Sequence, residues 1–322
     1  MEEFPEERYY GMNRVLLSTV GLWPDDHYKV RHFRFILLLL IVISLPSSQW
    51  IKLFTSEYNS DLLLKILSFN ILLMLCPIKY ITFYAVFKNI KEFRQRVQNN
   101  WGALKDNREI EIICKQGSYG KFFTIFIAII NALHAFGLFK IASYRMKHLL
   151  SGITPHMCLT KKYIISHNKI IAAVDFHRRA IEFSDLLKVS FGRVYLILYV
   201  LGVLSASINL LNLSRIVTME KDIIEIIKSF FLIASHILYL TVANYAGQEF
   251  INNDMHFYRV ICNTEWYNVP VKTQKLILFM LQKTTKCYKV DAGGMFNPCL
   301  EGLATSLSMS VSYFMVFYSV SL

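Results

Sequence analysis

A chain of 322 residues that is 54% hydrophobic, 14% aromatic and only 18% charged carries more apolar surface than a water-soluble domain buries. The apolar residues arrive in blocks long enough to cross a bilayer, so the reading is an all-α, polytopic membrane helix bundle, which excludes an ordinary soluble fold. A net charge of +12 would suggest nucleic acid in a soluble chain, but here Lys and Arg crowd the loops between apolar blocks, as in cytoplasmic loops, and no nucleic-acid partner is expected.

Residues 1 to 32 are polar with scattered aromatics and lack the apolar core and cleavage site of a signal peptide. Arg31, His32 and Arg34 flank the first apolar block, which keeps the N-terminus cytoplasmic. Span one is predicted over Phe33 to Trp50, and the connector from Phe54 to Asp61, almost free of positive charge, falls outside. Span two, Leu62 to Phe87, contains Pro77, which favours a kink that either shapes a pocket or is simply tolerated.

The loop from Lys88 to Lys121 carries Lys91, Arg94, Arg96, Lys105, Arg108 and Lys115 and reads as cytoplasmic. One apolar block follows, Phe122 to Phe139, and after it a second basic region from Lys140 to Lys188. A single crossing between two basic loops would put them on opposite sides, against the charge rule. The block is therefore expected not to cross, but to lie in the interface or dip in and return, with Asn131 as a possible break point.

Ala173, Phe176, Ala180, Phe183 and Leu187 recur at three and four, with His177, Arg178, Arg179, Glu182 and Asp185 between them, which predicts a cytoplasmic amphipathic helix leading into span five, Val194 to Leu213. Its apolar face has three possible partners: a neighbouring subunit, its own bundle or the membrane surface. Asn212-Leu213-Ser214 is a glycosylation sequon at the outer end of that span, expected to sit too near the membrane for use. Span six, Ile223 to Ala246, holds Phe230, Ser235, His236 and Tyr239; a lone membrane histidine is either functional or bonded to a backbone carbonyl.

Asn268 and Pro270 open a further amphipathic helix with Leu276, Phe279, Met280 and Lys283 at helical spacing. Gly293 and Gly294 then turn the chain, and Asn297 as cap with Pro298 at the first position starts the last helix. From Leu300 to Val320 only Glu301 is formally charged, so this helix crosses the bilayer. Thr305, Ser308 and Ser312 share one face, which Val316 and Val320 continue. Such a face either lines a hydrated pore closed by an apolar ring or permits close helix packing.

Trp266-Tyr267-Asn268-Val269-Pro270, Ala292-Gly293, and Glu301 through Ser312-Tyr313-Phe314-Met315-Val316 resemble the C-terminal signature of insect odorant receptors. Ala246-Gly247-Gln248 upstream, and Tyr9-Tyr10 with Leu22-Trp23-Pro24 near the N-terminus, extend the resemblance over nearly the whole chain. The resemblance implies a pore lined by Thr305, Ser308 and Ser312, a gate at Val316 and Val320, and an odorant pocket with Phe69, Leu72, Leu73, Phe230, Ser235, His236 and Tyr239 as candidates. It further implies an intracellular anchor that assembles subunits, with Phe176, Phe183, Leu276 and Phe279 as candidates. Ser118-Tyr119-Gly120 resembles the start of the family's third span, while His134 to Phe139 and Tyr144-Arg145-Met146 resemble the end of its fourth. The outer halves of those two spans are then missing, leaving six apolar blocks against the family's seven spans.

The implied function is an odorant-tuned subunit of a ligand-gated, non-selective cation channel. It would assemble with a co-receptor subunit as a heterotetramer in the plasma membrane of sensory neurons and bind a small volatile apolar ligand. Residues 1–159 would form the partly deleted ligand bundle, and 160–322 the anchor and pore. A truncated non-conducting subunit is the alternative, and a gustatory-type receptor channel is another, though the threonine-tyrosine and glutamine-phenylalanine signature of that group is absent. A secondary transporter would show internal repeats and midplane charges, which are not visible. No catalytic constellation, cofactor motif or metal spacing is present, so no enzyme, cofactor or metal is expected.

Overall fold

Long apolar runs set the helix lengths, because inside a bilayer a helix is the one local structure that satisfies every backbone group. The computed structural model describes residues 14–15, 17–23, 25–55, 60–104, 106–122, 127–154, 156–220 and 222–321. Tyr9-Tyr10, Pro24, much of the connector between spans one and two, and part of the block from Phe122 lie outside the described residues. In chain order the helices are α1 (Tyr28–Thr55), α2 (Ser60–Ala85), α3 (Phe87–Gly102), α4 (Asn107–Phe122), α5 (Ile127–Lys147), α6 (Leu159–Arg215), α7 (Ile223–Asn263), α8 (Val271–Thr284) and α9 (Leu300–Ser321).

Among the described residues, five helices are long and apolar enough to cross a membrane: Tyr28–Thr55, Leu62–Ala85, Leu159–Thr218, Ile223–Asn263 and Leu300–Val320. α1 shows why a bilayer is required: Leu37, Leu40, Ile41 and Leu45 are exposed, a stripe that water would penalise and hydrocarbon does not. The sixth apolar block is not among the five. It contributes α5, which runs antiparallel to α4: Arg145 pairs with Glu109, Tyr144 with Asp106, and Gly137 lies against Ile113 and Gln116. An antiparallel pair returns the chain to the end from which it left, so two basic flanks need no crossing between them. Asn131, the expected break point, lies inside α5 and is buried.

The chain divides into two compact units that interleave along the sequence rather than parting at residue 159, because α6 and α7 each supply residues to both. The first comprises residues 1–16, 89–189 and 247–290. Its core holds Phe93, Phe139, Phe176, Phe183 and Phe257, all less than 2% exposed, each contributing roughly 1.5–3 kcal/mol by leaving water. The charges inside it are paired. Arg145 Nε and Nη2 donate to the two Glu109 carboxylate oxygens at 2.6 and 2.9 Å, and the guanidinium lies 4.0 Å over the Phe176 ring. His177 Nε2 is 2.9 Å from Asp254 Oδ1, and its ring stacks on Phe257 at 4.2 Å. On α8 the face turned inward is Thr273, Ile277, Met280 and Thr284.

The second unit comprises residues 17–88, 190–246 and 291–322. Here α1 meets α2 through Phe35 stacked on Tyr84 at 3.9 Å, while Asn70 Nδ2 donates to Gln49 Oε1 at 3.0 Å. Pro46 and Pro77 are carried within continuous helices. Tyr199, Val203 and Leu240 form a buried cluster, with Tyr239, Phe296 and Leu303 packed against it. Gly293 and Gly294 take φ of 61° and 74°, as the predicted turn requires. The last helix begins at Leu300 rather than at Pro298. Cys299 takes the capping place: its N–H donates to Asn244 Oδ1 at 3.2 Å and its Sγ accepts from Gly302 N–H at 3.4 Å.

Candidate functional site

The last helix is two-faced. Gly302, Ser306 and Ser310, spaced by four, are buried, and Ser207 Oγ on α6 donates to the Ser310 carbonyl at 2.9 Å. A Cβ on Gly302 would come within 2.7 Å of Asn297 O and 2.8 Å of the Phe296 ring, so only glycine fits. Roughly a third of a turn round, given 3.6 residues per turn, lies the predicted stripe of Thr305, Ser308, Ser312, Val316 and Val320. All five are exposed, with Val316 at 55% and Val320 at 82%. Thr305 Oγ1 donates to the Glu301 carbonyl at 3.0 Å and Ser312 Oγ to the Ser308 carbonyl at 2.9 Å. These hydroxyls satisfy themselves on their own helix, leaving their oxygens as acceptors toward whatever faces the stripe. Sequence reasoning found the outward stripe and missed the inward one, although Gly302, Ser306 and Ser310 are the small-residue spacing that marks close packing.

The pocket candidates separate by helical phase. His236 is 1% exposed, so its neighbour Ser235 points outward and donates to the Leu232 carbonyl at 2.7 Å. Phe230 is 62% exposed and contacts Phe231 rather than the bundle interior. Phe69 is also exposed, while Leu72, Leu73 and Tyr239 are half-buried. Tyr239 lies under Lys79, whose Nζ is 4.0 Å from the ring centroid, a pairing that lets an ammonium sit within a span. His236 Nδ1 is 2.9 Å from the Leu232 carbonyl, which realises the backbone-bonded alternative for one nitrogen; Nε2 is buried without a partner. The α6–α7 pair is antiparallel, since Asn212 contacts Ser229 and Val203 packs with Leu240. That register places His236 level with Ala206. Asn212 is itself buried, which removes the sequon from use.

The assembly candidates also divide. Phe176 and Phe183 are 1% and 0% exposed within the single chain, held by Arg145 and by Phe93 and His134. Of the three partners open to that face, it is the chain's own residues that cover it, so these two do not form a surface for a second subunit. Leu276 is half-buried and Phe279 is 69% exposed, because α8 turns its 273–277–280–284 face inward instead.

The profile of the 7tm Odorant receptor family matches residues 49–311. The fold is similar to that of the olfactory receptor OR5 from Machilis hrabei, with a TM-score of 0.69 and 10% identity over 98% of both chains. It is also similar to the same receptor in complex with eugenol, with a TM-score of 0.62 and 11% identity over 98% of this chain and 97% of that one. No curated protein shows significant similarity to the chain. The family profile covers most of the sequence, and the helical bundle and the span-length apolar helices agree with it: this chain belongs to the 7tm Odorant receptor family.

Proposed function

We propose that the protein is an odorant-tuned subunit of a heteromeric, ligand-gated, non-selective cation channel. It would assemble with a co-receptor subunit as a heterotetramer in the plasma membrane of sensory neurons, with a cytoplasmic N-terminus. The observation that carries this reading is the outward stripe of α9. Hydroxyl oxygens turned away from the subunit are poorly served by lipid and well served by water on an axis shared by several copies. Val316 and Val320 then form the apolar ring that closes the passage by dewetting, and Leu276 and Phe279 offer apolar surface for the neighbouring subunit. The ligand is a small volatile molecule held within the bundle, near His236 and Tyr239. The solved neighbour bound to eugenol supports a small organic ligand for this fold.

Co-expression with a co-receptor and single cysteines at Ser308 and Ser312 tests the pore. A water-soluble cationic thiol reagent is expected to block the current at both positions, and unblocked current at both would count against pore lining. A second reading, a subunit that assembles but gates weakly, is favoured by one observation. α4 and α5 are paired helices of 16 and 21 residues, and among the described residues neither is one of the span-length apolar helices, which favours a shorter ligand bundle there.

A further inference from the structure

Two acceptor atoms in the interior of the second unit have no donor. Asn209 is fully buried; its Nδ2 donates to the Ser205 carbonyl at 2.7 Å and to the Ser68 carbonyl at 3.2 Å, which uses both amide hydrogens and fixes the amide's orientation. Asn209 Oδ1 is left buried without a partner. On the facing helix, His236 Nδ1 meets the Leu232 carbonyl at 2.9 Å; a carbonyl only accepts, so the ring hydrogen sits on Nδ1. In a neutral imidazole the other nitrogen is then an acceptor only, and His236 Nε2 too is buried without a partner. The antiparallel register sets His236 level with Ala206, about one helical turn from Asn209. On the same stretch of α6 the fully buried Ser207 Oγ is turned to the carbonyls of Val203 and Ser310, and Ser205 Oγ lies 3.4 Å from Asn209 Nδ2 as an acceptor.

We propose that this interior recognises a ligand carrying a hydroxyl hydrogen, an alcohol or a phenol, which donates to His236 Nε2, with Asn209 Oδ1 as the second acceptor. The inference rests on the odorant-receptor reading and names its ligand class. Chemistry decides between classes: aldehydes, ketones, esters and ethers bring only acceptors, so they leave both orphan atoms unmet and add a third. Alkanes leave them as they are. A hydroxyl group gives its one hydrogen to His236 Nε2, and a water that donates both to the hydroxyl oxygen and to Asn209 Oδ1 meets the second acceptor. A site built around a hydrogen bond discriminates against the analogue that lacks it far more strongly than an apolar pocket discriminates by size.

The test uses the purified full chain in lipid nanodiscs, with binding followed by thermal stabilisation and corrected for partition into empty nanodiscs. The probes are two matched series: hexanol, hexanal and hexane, and benzyl alcohol, benzaldehyde and toluene. The alcohols are expected to half-saturate at roughly tenfold lower concentration than their aldehydes, the size of one net hydrogen bond. His236→Phe should remove that advantage, and Asn209→Leu should reduce it, so that each alcohol approaches its aldehyde. Equal binding of all three members of a series overturns the hydroxyl inference and leaves the receptor reading standing; binding of none overturns both. An alcohol preference that survives in His236→Phe overturns the assignment to this ring. The comparison of probes on the unsubstituted protein needs no variant, so a variant that fails to fold does not spare the proposal.

Discussion

The two compact units solve the burial problem in opposite ways. The first hides large aromatic rings and pairs ionisable groups at its centre, Arg145 with Glu109 and His177 with Asp254. The second hides small polar residues, Ser205, Ser207, Ser306, Ser310 and Asn209, whose hydroxyls and amides bond helix carbonyls. Water explains the first: where chains fold against solvent, the gain comes from removing phenyl surface from it. A bilayer explains the second: lipid is as apolar as leucine, so helices gain by close approach and by hydrogen bonds between them. The difference teaches that burial alone does not identify a core. What is buried tells which solvent the unit was built for.

That contrast is broken most severely at Arg145. Replacing it with methionine strands the buried Glu109 carboxylate, and the first unit should lose about 3–5 kcal/mol, seen as loss of the folded protein in thermal unfolding. Replacing Glu109 with methionine as well should recover much of the loss, since the double variant buries no unpaired charge. Slightly smaller is the effect of overpacking the second unit. Gly302→Val forces a side chain onto Asn297 O and the Phe296 ring and should cost about 1–3 kcal/mol, whereas Thr305→Val on the outward face should leave stability nearly unchanged. If the two substitutions cost the same, the last helix is not two-faced.

A third contrast separates folding from assembly. Phe183→Asp buries a carboxylate among Phe93 and His134 and should abolish the folded subunit, while Phe279→Asp should keep the fold and reduce co-purification with the co-receptor. Intact co-purification of Phe279→Asp would remove α8 from the interface. The smallest effect concerns thiols outside the spans. N–H and hydroxyl donors of Thr160, with the Lys161 N–H, hold the exposed Cys158 thiol below the usual range, while burial and the Asp254 carboxylate push Cys287 up. Because the thiolate reacts, maleimide labelling of Cys158 should outpace that of Cys287 at neutral pH, and the gap should narrow as alkaline pH ionises Cys287.

Much of this was legible in the chain itself. Apolar length placed the spans, and the period of Ala173, Phe176, Ala180, Phe183 and Leu187 marked a buried face, since all five are buried. Period names a face and not its partner, so the sequence leaves Phe176 and Phe183 open to a second subunit, whereas their own chain covers them. The inward face of α8 is hidden from residue type for a related reason: Thr273 and Thr284, polar by type, turn inward, where Thr273 meets Ser166 at 3.2 Å and Thr284 bonds the Met280 carbonyl. Periodicity puts His177 on the polar face; its partner Asp254 is 77 residues distant, and no local pattern reports a pairing of that range. The α4–α5 hairpin was visible only as a contradiction in the charge pattern, because the count of basic residues tells sides and not the path between them.

The central claim is that α9 turns its valine ring to a shared aqueous axis, and ligand-free current in Val316→Ser, co-expressed with a co-receptor at normal surface level, tests it most directly. Hydrating an apolar constriction should raise the resting current several-fold and alter ion selectivity, an effect that Ser306→Ala on the inward face should not produce. Resting current and selectivity identical to those of the unsubstituted subunit would contradict the account, and would assign the outward stripe to packing or lipid.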